Sequence, residues 1–481
     1  MNPPDILELK KIVGEENLRD SKADLYVYGA DASVYEGKAF VVVKPRTIPA
    51  VQELMAYADK NSIPVIPRGS GSGMCGQTVP VKGGIVLDMK GLNRILEVNV
   101  NDAYCRVEPG VVDDDLNRAL SPHGFFYPPT PASSRIATIG GEIGNNASGT
   151  RSVKYGAARD SVLGMKVVLA NGDCVNLGSR TRVASSGYPL ERLMIGSEGT
   201  LAVIVEATLK FVPLPKFRCM GIANFNKLEQ AGDAISEIIA SGCSPSMLEL
   251  IDKVAITAVN QSMNLGLPDV EAILLFEADG MVMEAVDFEI EKAREICAAH
   301  QGSGIEVSYD AKERERIFAG RKKLFPALSR YREYLASTSL ADDMAVPFSR
   351  MADTARKIHE TADKHGIIMT AYGHCGAGCM HTKILMDTTK GAQWEAAREA
   401  IAEIYEHVRS VDGTTSAEHG IGMSKAPAFK QEKHDLLDLM RSVKKAFDPK
   451  GILNPGKLMD APDDWMSAAR LRYVTQEGKD A

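Results

Sequence analysis

The segment Pro67-Arg68-Gly69-Ser70-Gly71-Ser72-Gly73-Met74-Cys75-Gly76-Gln77 limits what this chain can fold into more than any other. It follows the strand-like Pro64-Val65-Ile66, and Gly71, Gly73 and Gly76 satisfy G-x-G-x-x-G. In a doubly wound dinucleotide fold that motif opens a helix whose N-terminus receives a pyrophosphate. Here Thr78-Val79-Pro80-Val81-Lys82-Gly83-Gly84 comes next, and a proline and a Gly-Gly turn so soon exclude a packed helix. The acidic residue required about 20 positions further on, at a strand end, is also missing. The doubly wound reading fails. A glycine turn between strands can still cradle an anion, because successive backbone N–H groups form a nest that side chains would obstruct.

The surrounding sequence extends this pattern. From about Val41 to Leu214, short β-branched runs alternate with glycine, and Asn171-Gly172 between Met165–Leu169 and Cys174–Leu177 predicts a hairpin. Val51, Leu54, Met55 and Ala58 predict a helix closing at Asn61. The proline-punctuated Val212-Pro213-Leu214-Pro215-Lys216 marks a domain boundary. Beyond it, amphipathic helices over Leu228–Ala240 and Trp394–Val411 flank the strand-like Ala272–Phe276, which predicts an α+β domain with an antiparallel sheet. A short helix over Leu436–Phe447 ends at Asp448-Pro449, and the polar tail after Met459 reads as peripheral. The expected division is 1–215 (core about 38–215), 216–430, and a C-terminal segment 431–481 returning to the first domain.

Composition narrows the function. The chain has 481 residues, 44% hydrophobic and 25% charged, enough for two or three packed domains and too apolar for wholesale disorder. A net charge of −7 without a basic block argues against nucleic acid and anionic membrane as partners. No apolar run approaches the roughly 18 residues of a membrane span. Residues 1–20 read as an amphipathic surface helix rather than a signal peptide. The eight cysteines include no C-x-x-C pair, which suits reduced thiols and a cytoplasmic location, and none cluster for an iron–sulfur centre.

Two further glycine-rich regions accompany the first. Pro128-Pro129-Thr130-Pro131-Ala132-Ser133-Ser134 leads into Thr138-Ile139-Gly140-Gly141-Glu142-Ile143-Gly144-Asn145-Asn146-Ala147-Ser148-Gly149, and Ile195-Gly196-Ser197-Glu198-Gly199-Thr200 follows later. With Lys154-Tyr155-Gly156 and Asp160–Gly164 between them, these elements resemble the FAD-binding domain of flavoproteins of the vanillyl-alcohol-oxidase type. The nearest branch is that of D-lactate dehydrogenase and glycolate oxidase flavoprotein subunits, over about residues 38–458. The resemblance implies an α+β fold: a two-subdomain FAD-binding domain plus an α+β cap domain. It implies that Arg68, Gly69, Ser70, Gly71, Ser72 and Gly73 embrace the pyrophosphate. Pro131, Ser133, Thr138, Gly141, Asn145 and Gly149 would line the flavin and ribityl chain, with Glu198 and Val203 toward the adenine and Asn454 returning to the flavin. Covalent relatives attach flavin through a histidine in or beside the glycine loop; this loop has none, so the FAD is expected to be dissociable.

Two segments concentrate histidine among glycines: Gly373-His374-Cys375-Gly376-Ala377-Gly378-Cys379-Met380-His381 and Glu418-His419-Gly420-Ile421-Gly422. Two imidazoles and a carboxylate suit a divalent metal with open positions, whereas a lone histidine is usually structural; His123 before Gly124 and His365 before Gly366 fit helix ends. The family branch reads G-H-x-G-D-G-N-x-H and E-H-G here, which implies His374, His381 and Glu418 as ligands of a divalent cation (Zn, Mn or Fe) and His419 as the base. Ala377 and Cys379 replace the usual Asp and Asn, which leaves substrate identity open; the two thiols read first as buried bystanders, with Cys375 or Cys379 close to the metal as the alternative.

The chemistry asks for these residue types. A 2-hydroxy acid must lose its hydroxyl proton as hydride leaves the carbon, so a Lewis acid and a neutral imidazole are wanted. A guanidinium pairs bidentately with the carboxylate, and Arg321 matches the arginine of a W-x-x-R segment, with Phe318 in the Trp position. The expected activity is oxidation of a D-2-hydroxy acid, D-lactate or glycolate, by hydride transfer to FAD. The external acceptor would be an iron–sulfur subunit, a quinone or an electron-transferring flavoprotein. Competing expectations are an electron-relay subunit with a degenerate substrate site and a non-redox flavoenzyme akin to ether-lipid synthases.

Overall fold

The computed structural model describes residues 3–340 and 342–471. They form two compact units: one takes the chain up to Ser148, Gly156–Leu214 and the stretch from Glu418, the other Gly149–Tyr155 and Pro215–Ala417.

In the first unit, strands Val41–Val43, Ile85–Asp88 and Val65–Arg68 run parallel, and Leu18–Arg19 joins antiparallel beside Val41–Val43. The helix Ile48–Asn61 provides the crossover between the first and third of these. Thr47 caps its start by accepting from the Ala50 N–H, and Ser62 in the left-handed region ends it. Its stripe Val51, Leu54, Met55 and Ala58 is wholly buried, as the spacing predicts. Strand Val65–Arg68 lies at the sheet edge, and the C-terminal chain covers it: Val65 N–H donates to Ile452 O at 2.8 Å and Asn454 N–H to Val65 O at 2.8 Å. No helix follows between Gly69 and Gly84, in accord with the proline and glycine there.

A five-stranded antiparallel sheet completes this unit, in the order Cys174–Gly178, Val162–Val168, Val203–Lys210, Tyr104–Val107, Ile95–Asn99. Its hairpin turns at Asn171-Gly172, with Gly172 at φ 92°. The second unit is built on another five-stranded sheet, in the order Ser303–Ser308, Phe217–Phe225, Ala272–Gly280, Met247–Asp252, Tyr372–Gly373, with every pairing antiparallel. Helices Leu228–Ala240 and Met283–Ala299 pack against it, and Met351–His365 packs on Gly391–Ser410.

Two local expectations change, and one element is new. The N-terminal helix covers only Ile6–Val13, because Gly14 at φ 86° stops it, and Leu9 and Val13 are buried in the core. The tail is not peripheral where described: Arg470–Leu471 pairs with Tyr35–Glu36 and Trp465 is buried. Residues 472–481 and Met1–Asn2 lie outside the described residues. The glycine-rich stretch after Thr138 holds a helix, Ile139–Asn145; Thr138 Oγ1 accepts from the Gly141 N–H, and Asn146 at φ 55° ends it.

Candidate functional site

Within the first unit a solvent-connected cavity opens where the glycine loop meets this helix. Arg68, Gly69, Thr138, Gly141, Asn145 and Glu198 line it, so six of the expected cofactor residues converge on one space. Gly144 lines it too, and a Cβ built there would meet nothing within 4 Å. The protein's own packing therefore does not require glycine at that position; an occupant of the cavity would. Ser70 is tied through its hydroxyl to Ile136 O, holding the loop against the Pro131–Ala137 stretch. Val203 is wholly buried in the core instead, and its neighbours Ala202 and Ile204 face the cavity, as strand alternation dictates. Pro131, Ser133 and Gly149 are not among its lining residues. Cys75 is fully buried and also absent from the lining.

Arg68 is buried, donating from Nη1 to Ala30 O at 2.7 Å and to Thr78 Oγ1 at 3.1 Å, with its guanidinium over the Tyr28 ring. Burial lowers its pKa, opposed by Asp31. Glu198, at φ 53°, anchors the other side. Its carboxylate accepts from the Ile421 N–H at 2.6 Å and the Gly422 N–H at 2.9 Å. Burial outweighs these bonds and pushes its pKa up to about 7. Asn454 Nδ2 donates to Gln77 O and Glu198 O, and the Gln77 side chain donates to His419 O. The segment carrying His419 is thus strapped by its backbone to the glycine loop and to Glu198. Lys457, fully buried, donates to Val79 O at 2.7 Å, and desolvation lowers its pKa to about 8. His419 Nε2 stands 3.6 Å from Glu418 Oε1.

The second unit holds the other candidates on a tight hairpin. Tyr372 pairs with His381, and Gly373, paired with Leu250 at the sheet edge, allows the return chain to approach: a Cβ there would lie 2.8 Å from Cys379 O. Gly378 at φ 74° ends the intervening turn. The glycines thus serve the hairpin's own close packing. His374 and His381 come together with ring centroids 5.1 Å apart, edge to face.

Each imidazole is held by a buried carboxylate. His374 Nδ1 lies 2.5 Å from Glu249 Oε1, and Arg321 Nε donates to Glu249 Oε2 at 2.6 Å. Arg321 is therefore no solvated charge; its guanidinium also stands over the Tyr372 ring at 5.2 Å. Burial alone would raise the Glu249 pKa, yet His374 and Arg321 bring it below the usual carboxylate range. His381 Nδ1 lies 3.1 Å from Asp342 Oδ1, and Lys383 pairs with the same carboxylate.

Asp343, Cys379 and His381 each offer one ligand atom, all within 4.8 Å of one another. Cys379 Sγ lies 3.4 Å from Asp343 Oδ1 and 3.9 Å from His381 Nε2. His374 is not in this donor grouping. Cys375 instead donates to Leu248 O at 3.1 Å, and burial pushes its thiol well above the ordinary range.

Sequence reasoning missed Glu249, Asp342 and Asp343. The available signal was a charge inside an apolar strand, Met247-Leu248-Glu249-Leu250-Ile251, since a buried charge requires partners.

The fold and the glycine-lined cavity define a two-domain flavoprotein. Residues 39–178 match the family described as FAD binding domain, and residues 214–458 match FAD linked oxidases, C-terminal domain. The chain belongs to the FAD-linked oxidase family and is an oxidoreductase. It is 36% identical to the glycolate oxidase subunit GlcD of Bacillus subtilis (strain 168), covering 98% of each chain. Against the mitochondrial D-lactate dehydrogenase [cytochrome] of Arabidopsis thaliana it is 32% identical, covering 95% of this chain and 80% of that one. The solved structure of 4-ethylphenol oxidase from Gulosibacter chungangensis has the same fold, with a TM-score of 0.77, 20% identity, and coverage of 95% and 97%.

Proposed function

We propose that this protein oxidises a 2-hydroxy acid, D-lactate or glycolate, to the 2-oxo acid and passes the electrons to an external iron–sulfur subunit, quinone or electron-transferring flavoprotein. The observation that carries this reading is the buried Arg321–Glu249–His374 network, which orients a guanidinium beside the histidine pair in a chain whose full-length relatives include a glycolate oxidase subunit and a D-lactate dehydrogenase. Arg321 binds the substrate carboxylate while Glu249 fixes the side chain. Arg68–Gly73, Thr138, Gly141, Asn145 and Glu198 would hold FAD without a covalent link, and the bound flavin would supply the hydride acceptor. His374, His381 and Glu418 would attend a divalent cation, which would supply Lewis acidity at the substrate hydroxyl. His419 takes the hydroxyl proton; the Gln77 and Glu198 straps fix its backbone.

Anaerobic flavin reduction tests the proposal. D-lactate or glycolate should bleach the flavin, and chelation should stop this while leaving the flavin spectrum unchanged. His419→Asn should keep FAD and slow reduction by about 10²–10⁴-fold at neutral pH, with the deficit shrinking at high pH where hydroxide replaces the base. Reduction at the wild-type rate would remove His419 from the mechanism. A panel of 2-hydroxy acids that all fail to reduce the flavin would reject the activity.

A further inference from the structure

Cys379 stands in a setting that packing alone does not explain. It shares a buried pocket of the second unit with two other ligand types: Asp343 Oδ1 is 3.4 Å from its sulfur and His381 Nε2 is 3.9 Å away. Tetrahedral zinc, with bonds of about 2.3 Å to sulfur and 2.0–2.1 Å to nitrogen or oxygen, puts such donors about 3.5 Å apart. The His381 ring is turned with Nδ1 toward Asp342, which directs Nε2 to the side where the thiol lies. That is the carboxylate–histidine arrangement that orients a metal-binding imidazole. Lys383 in turn pairs with Asp342 and also donates to Ser339 Oγ, so the support is itself buttressed.

We propose that Cys379 Sγ, Asp343 and His381 Nε2 together bind the cation, giving a mixed sulfur, oxygen and nitrogen centre that favours zinc over magnesium or manganese. Thiolate is a soft donor that magnesium and manganese take poorly and zinc takes readily. Binding converts the thiol to thiolate and releases one proton. The proposal rests on the cation in the reading above and adds sulfur to its donors.

X-ray absorption at the zinc edge tests it on the FAD-loaded full chain, stripped by a chelator and reloaded with zinc. One sulfur scatterer at about 2.3 Å is expected beside nitrogen and oxygen near 2.0–2.1 Å. Cys379→Ser should lose the sulfur shell and Cys375→Ser should keep it. A zinc-loaded wild type showing nitrogen and oxygen alone overturns the proposal, as does failure to take up zinc by elemental analysis. Loss of the sulfur shell in Cys375→Ser rather than Cys379→Ser also overturns it. If Cys379→Ser does not fold, the wild-type and Cys375→Ser spectra still decide. Hydroxy-acid oxidation with no sulfur shell rejects the thiolate and spares the activity. A sulfur shell without turnover keeps the site and rejects the activity.

Discussion

Removing the Glu249 carboxylate should be among the most damaging single changes to the second unit. Glu249 is wholly buried, and its two oxygens take His374 Nδ1 at 2.5 Å and Arg321 Nε at 2.6 Å. Both bonds are short and charge-assisted, and Arg321 is itself mostly buried. Glu249→Ala leaves a guanidinium facing a cavity where the carboxylate stood. Breaking a buried ion pair from one side costs about 3–5 kcal/mol, because the surviving charge stays desolvated. At about 2–4 °C per kcal/mol for a unit of this size, the melting transition should fall by roughly 6–20 °C. Glu249→Gln keeps the shape and one acceptor for Arg321, so it should lose distinctly less. The pH dependence has a definite sign. The Glu249 pKa is depressed in the fold, so its contribution is present above the unfolded carboxylate range and fades as acid protonates it. Wild type and variant should therefore converge on acidification. Differential scanning calorimetry of the FAD-loaded protein at neutral and acidic pH measures this. If Glu249→Ala melts within about 3 °C of wild type at neutral pH, the network contributes no net stability and the reasoning is wrong.

Three other outcomes are expected. Acid precipitation should leave the yellow colour in the supernatant, since the glycine loop holds no histidine; colour in the pellet would point to a covalent link. Gly144→Leu should fold normally and lose FAD, because the new side chain enters open cavity space; unchanged FAD content after dialysis would refute that use of the cavity. Asp113 and Glu142, the latter on the cavity helix, are buried against each other, and desolvation puts Asp113 at about 7 and Glu142 well above its usual value. Raised carboxyl pKa values mean that the folded state keeps extra protons, so stability falls as pH rises from the unfolded carboxylate range through about 7. Glu142→Gln should flatten that fall, and thermal melts of both proteins at pH values either side of 7 would show whether it does.

The sequence revealed those parts of the molecule where a local pattern has one physical solution. The stripe Val51, Leu54, Met55, Ala58 requires a helix, Asn171-Gly172 requires a tight hairpin, and Pro80 with Gly83-Gly84 forbids a helix after the glycine loop. What stayed hidden depends on contacts distant in sequence. Three glycines within Ile139–Asn145 lower helix propensity, yet Thr138 caps the segment and it lines the cavity, so tertiary context overrides the local preference. The N-terminal helix fails in the opposite way: residues 1–20 read as one amphipathic helix, and a single left-handed Gly14 cuts it at Val13.

The same distinction governs the site. His374, His381 and Arg321 stood out because histidine and arginine beside glycine are conspicuous. Their carboxylate partners did not, since Glu249 lies 125 residues before His374 and reads locally as one polar position in a strand. Nothing within that strand says which cation the carboxylate meets. The antiparallel pairing of Leu250 with Gly373 supplies the answer, because it sets Glu249 one residue from the strand partner of Gly373 and so beside His374. The glycines that seemed to leave the histidines unsupported are what let the hairpin close enough to reach that carboxylate. A motif read from its conspicuous residues therefore identifies the groups that meet a ligand, while sheet register identifies the groups that hold them in place.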